Sequence, residues 1–159
     1  MKDKKPDLVF LMETKLRRNT MEKVRSKLGF PNMFVVDCIG RSGELGLLWR
    51  AEANVEVKNF SQRHINAIVH EPLLNLSWKF TGFYGHPEAP KRHEAWDLLK
   101  LLARLDPSPW LCIGDFNEIV NGTEKWGGSM RQRWQMQAFQ QTLEECNLID
   151  LGFRGSKYT

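Results

Sequence analysis

An α/β fold of the α+β kind, richer in strand than in helix, is what the sequence predicts, on three observations. Short apolar runs bounded by glycine, proline or polar turn residues recur along most of the chain. Several of these runs alternate apolar and polar residues with the period of a strand. Two longer stretches, residues 91–105 and about 134–146, instead repeat apolar residues at helical spacing. At 159 residues the chain is long enough for one domain with a real core and too short for two comfortable ones, so residues 1–159 are expected to form a single domain.

Residues 8–12, Leu-Val-Phe-Leu-Met, read as a compact strand running into Glu13-Thr14-Lys15, which sets a carboxylate at the strand's carboxyl end. Asn19 or Thr20 can cap a helix over residues 21–28, and Gly29 can stop it. Residues 33–38 read as a strand, 41–44 as its turn and 45–50 as the return. Residues 54–60 alternate Val55 and Val57 with polar neighbours, and residues 64–70 do the same with Ile65, Ala67 and Val69. A meander of half-exposed antiparallel strands is the simplest arrangement. A longer strand, residues 75–83, ends at Tyr84-Gly85-His86-Pro87, where glycine and proline turn the chain off the sheet. The helix over 91–105 carries Ala95, Trp96, Leu98, Leu99, Leu102 and Leu105 at helical spacing and stops at Asp106-Pro107. Residues 110–118 follow. Leu111, Cys112 and Ile113 have the pattern of a strand covered on both faces, Gly114 lets the backbone bend, and Asp115 and Asn117 reach the rim of the sheet while Phe116 turns back to the core. A polar loop over 120–133 leads to the second helix, and residues 148–151 start another strand or turn.

The formal net charge is +4, and its surplus sits at the amino end: nine Lys+Arg against four Asp+Glu within residues 1–30, leaving fourteen against fifteen elsewhere. Such a patch attracts a phosphate backbone, although a solvated helix face gives the same count. Cys38, Cys112 and Cys146 are odd in number, widely spaced and set in or beside apolar runs, the pattern of reduced, buried thiols in an intracellular protein with no disulfide-linked partner. No cysteine pair has metal-ligand spacing, no stretch approaches a membrane span, and neither a secretory signal nor a transit peptide is expected.

Glu13, Asp115 and Asn117 all follow short apolar strands, so one edge of one sheet is expected to hold all three. Their oxygens are hard ligands, suited to Mg²⁺ or Mn²⁺ and unsuited to zinc. Such sites commonly complete their shell with water and substrate phosphate, which makes phosphodiester cleavage the natural chemistry. Tyr84, also at a strand end, can donate its hydroxyl to the same phosphate. The chain has no P-loop, Gly-x-Gly-x-x-Gly, Gly-x-Ser-x-Gly or His-Glu-x-x-His pattern. His86 and His93 read as surface residues. Most tryptophans sit in core-facing patterns, and Trp126, in Lys125-Trp126-Gly127-Gly128, is the one in an open loop where a base can stack. Arg131 and Arg133, with Lys15 and Lys125, are the candidate phosphate contacts; two solvated arginines before a helix would look the same.

Glu13-Thr14-Lys15, Gly46-Leu47-Leu48-Trp49, Phe83-Tyr84-Gly85-His86-Pro87, residues 110–119, Lys125-Trp126-Gly127-Gly128 and Asp150-Leu151-Gly152-Phe153 occur in order with familiar gaps. Together they resemble the endonuclease/exonuclease/phosphatase superfamily, in the variant encoded by plant non-LTR (LINE-type) retrotransposons. The resemblance covers nearly the whole chain, and the Glu-Thr-Lys and Gly-Asp-Phe-Asn motifs are its specific part. It implies part of a four-layer αββα sandwich of the deoxyribonuclease I-like type and Mg²⁺-dependent nicking of DNA to prime reverse transcription. By that resemblance Glu13 is the metal-binding glutamate, Tyr84 contacts the scissile phosphate, Asp115 aligns or activates the nucleophilic water, and Asn117 orients the phosphate. Family members begin with a strand carrying a metal-site Asn and end with a Ser-Asp-His motif. This chain starts just before the second strand and stops before that motif, without the arginine/aspartate segment that precedes it, and Gly43-Glu44 stands where paired glycines are usual. The expectation is a weak or inactive endonuclease, with a catalytically dead nucleic-acid-binding module or a relic reading frame as alternatives. A monomer acting on DNA inside the cell, the nucleus included, completes the picture.

Overall fold

A computed structural model gives the structure of the protein and describes residues 6–14, 18–37, 44–125, 127 and 130–152. The chain divides into two compact units, one of Met1–Tyr84 with Ser108–Asp115, the other of Gly85–Pro107 with Phe116–Thr159.

The first unit holds two sheets and a helix. Strands β1 (Leu8–Met12), β2 (Asn32–Val36) and β3 (Leu45–Trp49) form an antiparallel sheet in the order β1-β3-β2, with helix α1 (Arg18–Leu28) between β1 and β2 in the chain. Strands β4 (Asn54–Ser61), β5 (His64–Glu71), β6 (Leu76–Tyr84) and β7 (Trp110–Asp115) form the second sheet in that order, antiparallel except for the parallel β6–β7 pair. The core lies between the sheets: Leu45 and Leu47 of β3 meet Ile65, Ala67 and Val69 of β5 and Phe80 of β6. Each fully buried aliphatic side chain stabilises the unit by roughly 2 kcal/mol. Two edge-to-face ring pairs link the sheets, Phe10–Phe80 at 6.5 Å and Phe34–Phe60 at 5.0 Å between centroids. Phe10 comes so close to β6 that a Cβ at Gly82 would lie 2.2 Å from its ring. Met21, fully buried, anchors α1 against β3 at Gly46.

The second unit contains α2 (Arg92–Leu105) and α3 (Arg133–Glu145). Trp96 stacks on Phe139 at 6.2 Å, Phe116 packs on the same ring at 5.7 Å, and Lys100 pairs with Glu145 at 2.9 Å.

Several expectations change. Asn19 and Thr20 lie inside α1, which starts by Arg18; Gly29, at φ +74°, ends it as anticipated. The half-exposed meander fails at β5, which is buried over its first six residues because it is an interior strand. Its polar positions tolerate this by pairing: the Trp110 indole N–H donates to the Thr81 hydroxyl (2.9 Å), and that hydroxyl donates to Asn66 Oδ1 (2.8 Å). Nor is β7 covered on both faces; it is the last strand of the described sheet, and Ile113 is 51% exposed. Residues 148–151 form no strand. Cys112 and Cys146 are free thiols, half-buried and buried, while Cys38 and residues 41–43 of the expected turn lie outside the described residues. Among the described residues no helix is long and apolar enough to cross a membrane.

The β4–β5 turn is braced by a buried histidine. His64 Nε2 lies 2.8 Å from Asn59 Oδ1, which can only accept, so Nε2 carries the proton and Nδ1 accepts from the Ser61 hydroxyl at 2.8 Å. A β-bulge between Val57 and Asn59 brings the asparagine into reach. Burial holds the imidazole well below the ordinary histidine value of 6.5, at about 4. The unfolded chain therefore binds the proton first as pH falls: stability is complete above about pH 6.5 and declines towards pH 4, by at most about 3 kcal/mol. Urea midpoints between pH 7 and 4, with the His64 imidazole followed by NMR, check this. An imidazole titrating near 6.5 in the folded protein would remove the effect.

Candidate active site

Three of the sequence-derived residues meet in the first unit. Glu13 follows the last residue of β1, and Tyr84 and Asp115 are the last residues of β6 and β7. Parallel pairing sets Tyr84 directly beside Asp115. The Tyr84 hydroxyl donates to Glu13 Oε1, joining the two sheets at this corner. Glu13 and Asp115 therefore belong to two facing sheets rather than to one edge of one sheet, because β1 pairs with β3 and not with β7. Glu13 and Asp115 are exposed residues, whereas Tyr84 is only 5% exposed. Glu13 adopts φ +52°, a left-handed conformation that costs a non-glycine residue about 1–3 kcal/mol and that clusters at functional sites.

Asn117 belongs to the second unit. It too is left-handed (φ +54°), its side-chain amide donates to Gly85 O at 2.9 Å, and its own carbonyl accepts from Arg131 Nη2 at 3.3 Å. Arg131 is further engaged by Glu118: its Nε stands 3.0 Å from Glu118 Oε1, while Arg92 Nη1 donates to Oε2 at 2.9 Å. The Glu118 side chain is fully buried and Arg92 nearly so. Lys125, Arg131 and Arg133 line a groove of about 230 Å³ with Ile119, Met130 and Met136. Lys15 and Trp126 lie outside the described residues. His93 is exposed as expected, but His86 is buried at 7% exposure, its Nδ1 accepting the Glu88 N–H at 3.2 Å. Trp134, at the start of α3, is 60% exposed and so is an exception among tryptophans that mostly sit in core-facing patterns.

Residues 1–157 match the profile of the Endonuclease/Exonuclease/phosphatase family. The chain belongs to this family. Among solved structures, the endonuclease domain of TRAS1, a telomere-specific non-LTR retrotransposon, is similar with a TM-score of 0.59 at 13% identity, over 88% of this chain and 59% of that one. The human Nocturnin catalytic domain with bound sulfate gives 0.48 at 15% identity, over 71% and 52%, and D. rerio TDP2 complexed with single-strand DNA product gives 0.48 at 12%, over 92% and 54%. No curated protein sequence matches. The chain spans 59% of the TRAS1 domain, and the likeness at that identity is one of fold, an α/β architecture of the deoxyribonuclease I-like type.

In this Endonuclease/Exonuclease/phosphatase member, Glu13 and Asp115 are exposed oxygen donors at strand ends, Glu13 accepting the Tyr84 hydroxyl and Asp115 lying next to Tyr84 in the β6–β7 register, and donors of this kind suit a hard cation that takes one or two carboxylates and fills its shell with water and phosphate oxygens. Among the described residues no group of three or more His, Cys, Asp or Glu side chains stands ready to hold a metal. Three contributors lacked any signal in the sequence. Glu118 holds two arginines 26 and 13 positions away, spacings that no local pattern marks. Glu44, buried, accepts the Thr14 hydroxyl at 3.2 Å next to Glu13. Arg63 places its guanidinium 5.6 Å from the centre of the Tyr84 ring.

Proposed function

We propose that residues 1–159 act as a single catalytic domain, a Mg²⁺- or Mn²⁺-dependent endonuclease that hydrolyses phosphodiesters in DNA, of the type carried by plant non-LTR retrotransposons. What supports this best is the placement of Glu13, Tyr84 and Asp115 at the carboxyl ends of three strands, the Tyr84 hydroxyl donating to Glu13 and Asp115 lying beside Tyr84 in register. Glu13 and Asp115 are the residues that would hold the cation, which when bound neutralises charge developing on the phosphate. Asp115 aligns the attacking water and accepts its proton. With Glu13 turned to the cation, the Tyr84 hydroxyl, whose single proton otherwise goes to Glu13 Oε1, donates instead to a non-bridging phosphate oxygen and stabilises the negative charge that grows there. The role the resemblance gives Asn117, orienting the phosphate, belongs to the same proposal. Lys15, Lys125, Arg131 and Arg133 are assigned to the DNA backbone; Arg131 has the smallest share, since it already shares the Glu118 carboxylate with Arg92. A monomer without disulfide partners, working inside the cell and in the nucleus, completes the reading.

Nicking of supercoiled plasmid tests it. Relaxed circles are expected with Mg²⁺ and not with EDTA, and Asp115→Asn and Glu13→Gln are each expected to slow nicking at least about 100-fold. No nicking, combined with a salt-dependent DNA affinity that Asp115→Ala leaves unchanged, would instead select a nucleic-acid-binding module without catalysis.

A further inference from the structure

The mechanism above gives Tyr84 one task, donation of a hydrogen bond, yet the β4–β5 turn grips this residue in two further ways. The Tyr84 backbone N–H donates to the carbonyl oxygen of Arg63 at 2.8 Å. The guanidinium of the same arginine lies over the phenol ring, 5.6 Å from its centre. Arg63 is itself fixed, because its N–H donates to the Ser61 hydroxyl at 3.0 Å, and Ser61 is held by His64, which Asn59 holds in turn. A chain of hydrogen bonds therefore runs from the bulge in β4 through the turn to the backbone of Tyr84, and the charge at its end faces the ring.

We propose that Arg63 is a positioning residue that acts through Tyr84. Its carbonyl sets the height of Tyr84 at the end of β6, and its cation sets the strength of the phenol as a donor. A cation on an aromatic face draws on the ring's electron density, an attraction worth most where water is excluded, and Tyr84 as a residue is only 5% exposed. Density withdrawn from the ring leaves the hydroxyl proton more positive, so the donor is stronger towards a phosphate oxygen. No bond forms or breaks at Arg63; the effect is electrostatic and geometric. The backbone contact survives any substitution at position 63, whereas the ring contact needs a cation, so the two parts separate by mutation.

The inference rests on the nuclease reading for its catalytic consequence but not for its physical content, and the test uses both levels. Arg63→Gln, Arg63→Lys, Tyr84→Phe and the double variant Arg63→Gln/Tyr84→Phe are compared in the full chain, each first shown by thermal melting to be folded. With tyrosine ¹³Cζ labelling only two signals appear, since the sequence contains two tyrosines, and Tyr84→Phe assigns them. In metal-free protein the Tyr84 signal is expected to move in Arg63→Gln and to move much less in Arg63→Lys. In Mg²⁺-dependent nicking, Arg63→Gln is expected to lower kcat about tenfold with KM for DNA changed less than about twofold, and Arg63→Lys to recover most of the loss. The double variant is expected to be no slower than Tyr84→Phe alone. An unmoved Tyr84 signal in folded Arg63→Gln, or independent, multiplying losses in the double variant, overturns the proposal. Should no variant nick DNA, the nuclease reading fails and the carbon signal alone decides whether Arg63 governs the phenol.

Discussion

Gly114→Ala is expected to destabilise the first unit by about 3–5 kcal/mol, enough to leave much of the protein unfolded at 37 °C. Gly114 sits at φ +149°, and a Cβ there would fall 1.8 Å from the carbonyl oxygen of Phe83, its partner across the parallel β6–β7 pair. The obstacle is backbone, so no side chain can rotate away and the strands must part. They would part beside Tyr84 and Asp115, the next pair in register. Gly122→Ala supplies the contrast, because nothing lies within 4 Å of a Cβ at that position, and its midpoint is expected within about 0.5 kcal/mol of the parent. Chemical denaturation of the three proteins decides the matter. A Gly114→Ala protein as stable as the parent would mean that β7 does not approach β6 as described.

Glu118→Ala is expected to cost the second unit about 3–5 kcal/mol, because it strips the counter-charge from Arg92, a nearly buried cation, and from Arg131 at the same time. Glu118→Gln keeps the shape and an accepting oxygen and is expected to cost less. The Lys100–Glu145 pair is the control: it is partly exposed, and Lys100→Ala is expected to cost less than about 1 kcal/mol. Hydrogen exchange of the amides in α2 and α3 reads the effect locally. Unchanged protection in Glu118→Ala would show that the two arginines find other company.

Much of this architecture was legible because local chemistry agreed with the final packing. The apolar run of β1, the helical spacing of α2 and the glycine after α1 each act within a few residues, so pattern suffices. Glu13, Tyr84 and Asp115 were legible for the same reason, each a polar residue at the end of an apolar run. The departures come from long-range pairing. Asn66 and His64 look like the solvent face of a half-exposed strand, yet both are buried with hydrogen-bond partners that neighbouring strands and the turn supply. Ile113 reads as core in a run of three apolar residues, but the described sheet ends at its strand. Glu13 in a left-handed conformation has no sequence signature, since glycine and asparagine are the residues that signal it. Arg63 and Glu118 act on groups that only the folded chain brings near.

One strand pair among the described residues, β6–β7, is parallel, and this bears on the order of assembly. Every other pairing in the two sheets is antiparallel, and in the second sheet β4, β5 and β6 are joined by short turns, so that they can zip together from local contacts. Before β7 can dock, the chain must traverse residues 85–109, and the Tyr84–Asp115 register closes a loop of that whole length. Asp115 thus belongs to the last of the described strands in chain order, and the one with the longest connection to its partner. A nascent chain therefore displays the glutamate and the phenol before it owns the aspartate, and the proposed site is complete only once the β6–β7 register has formed.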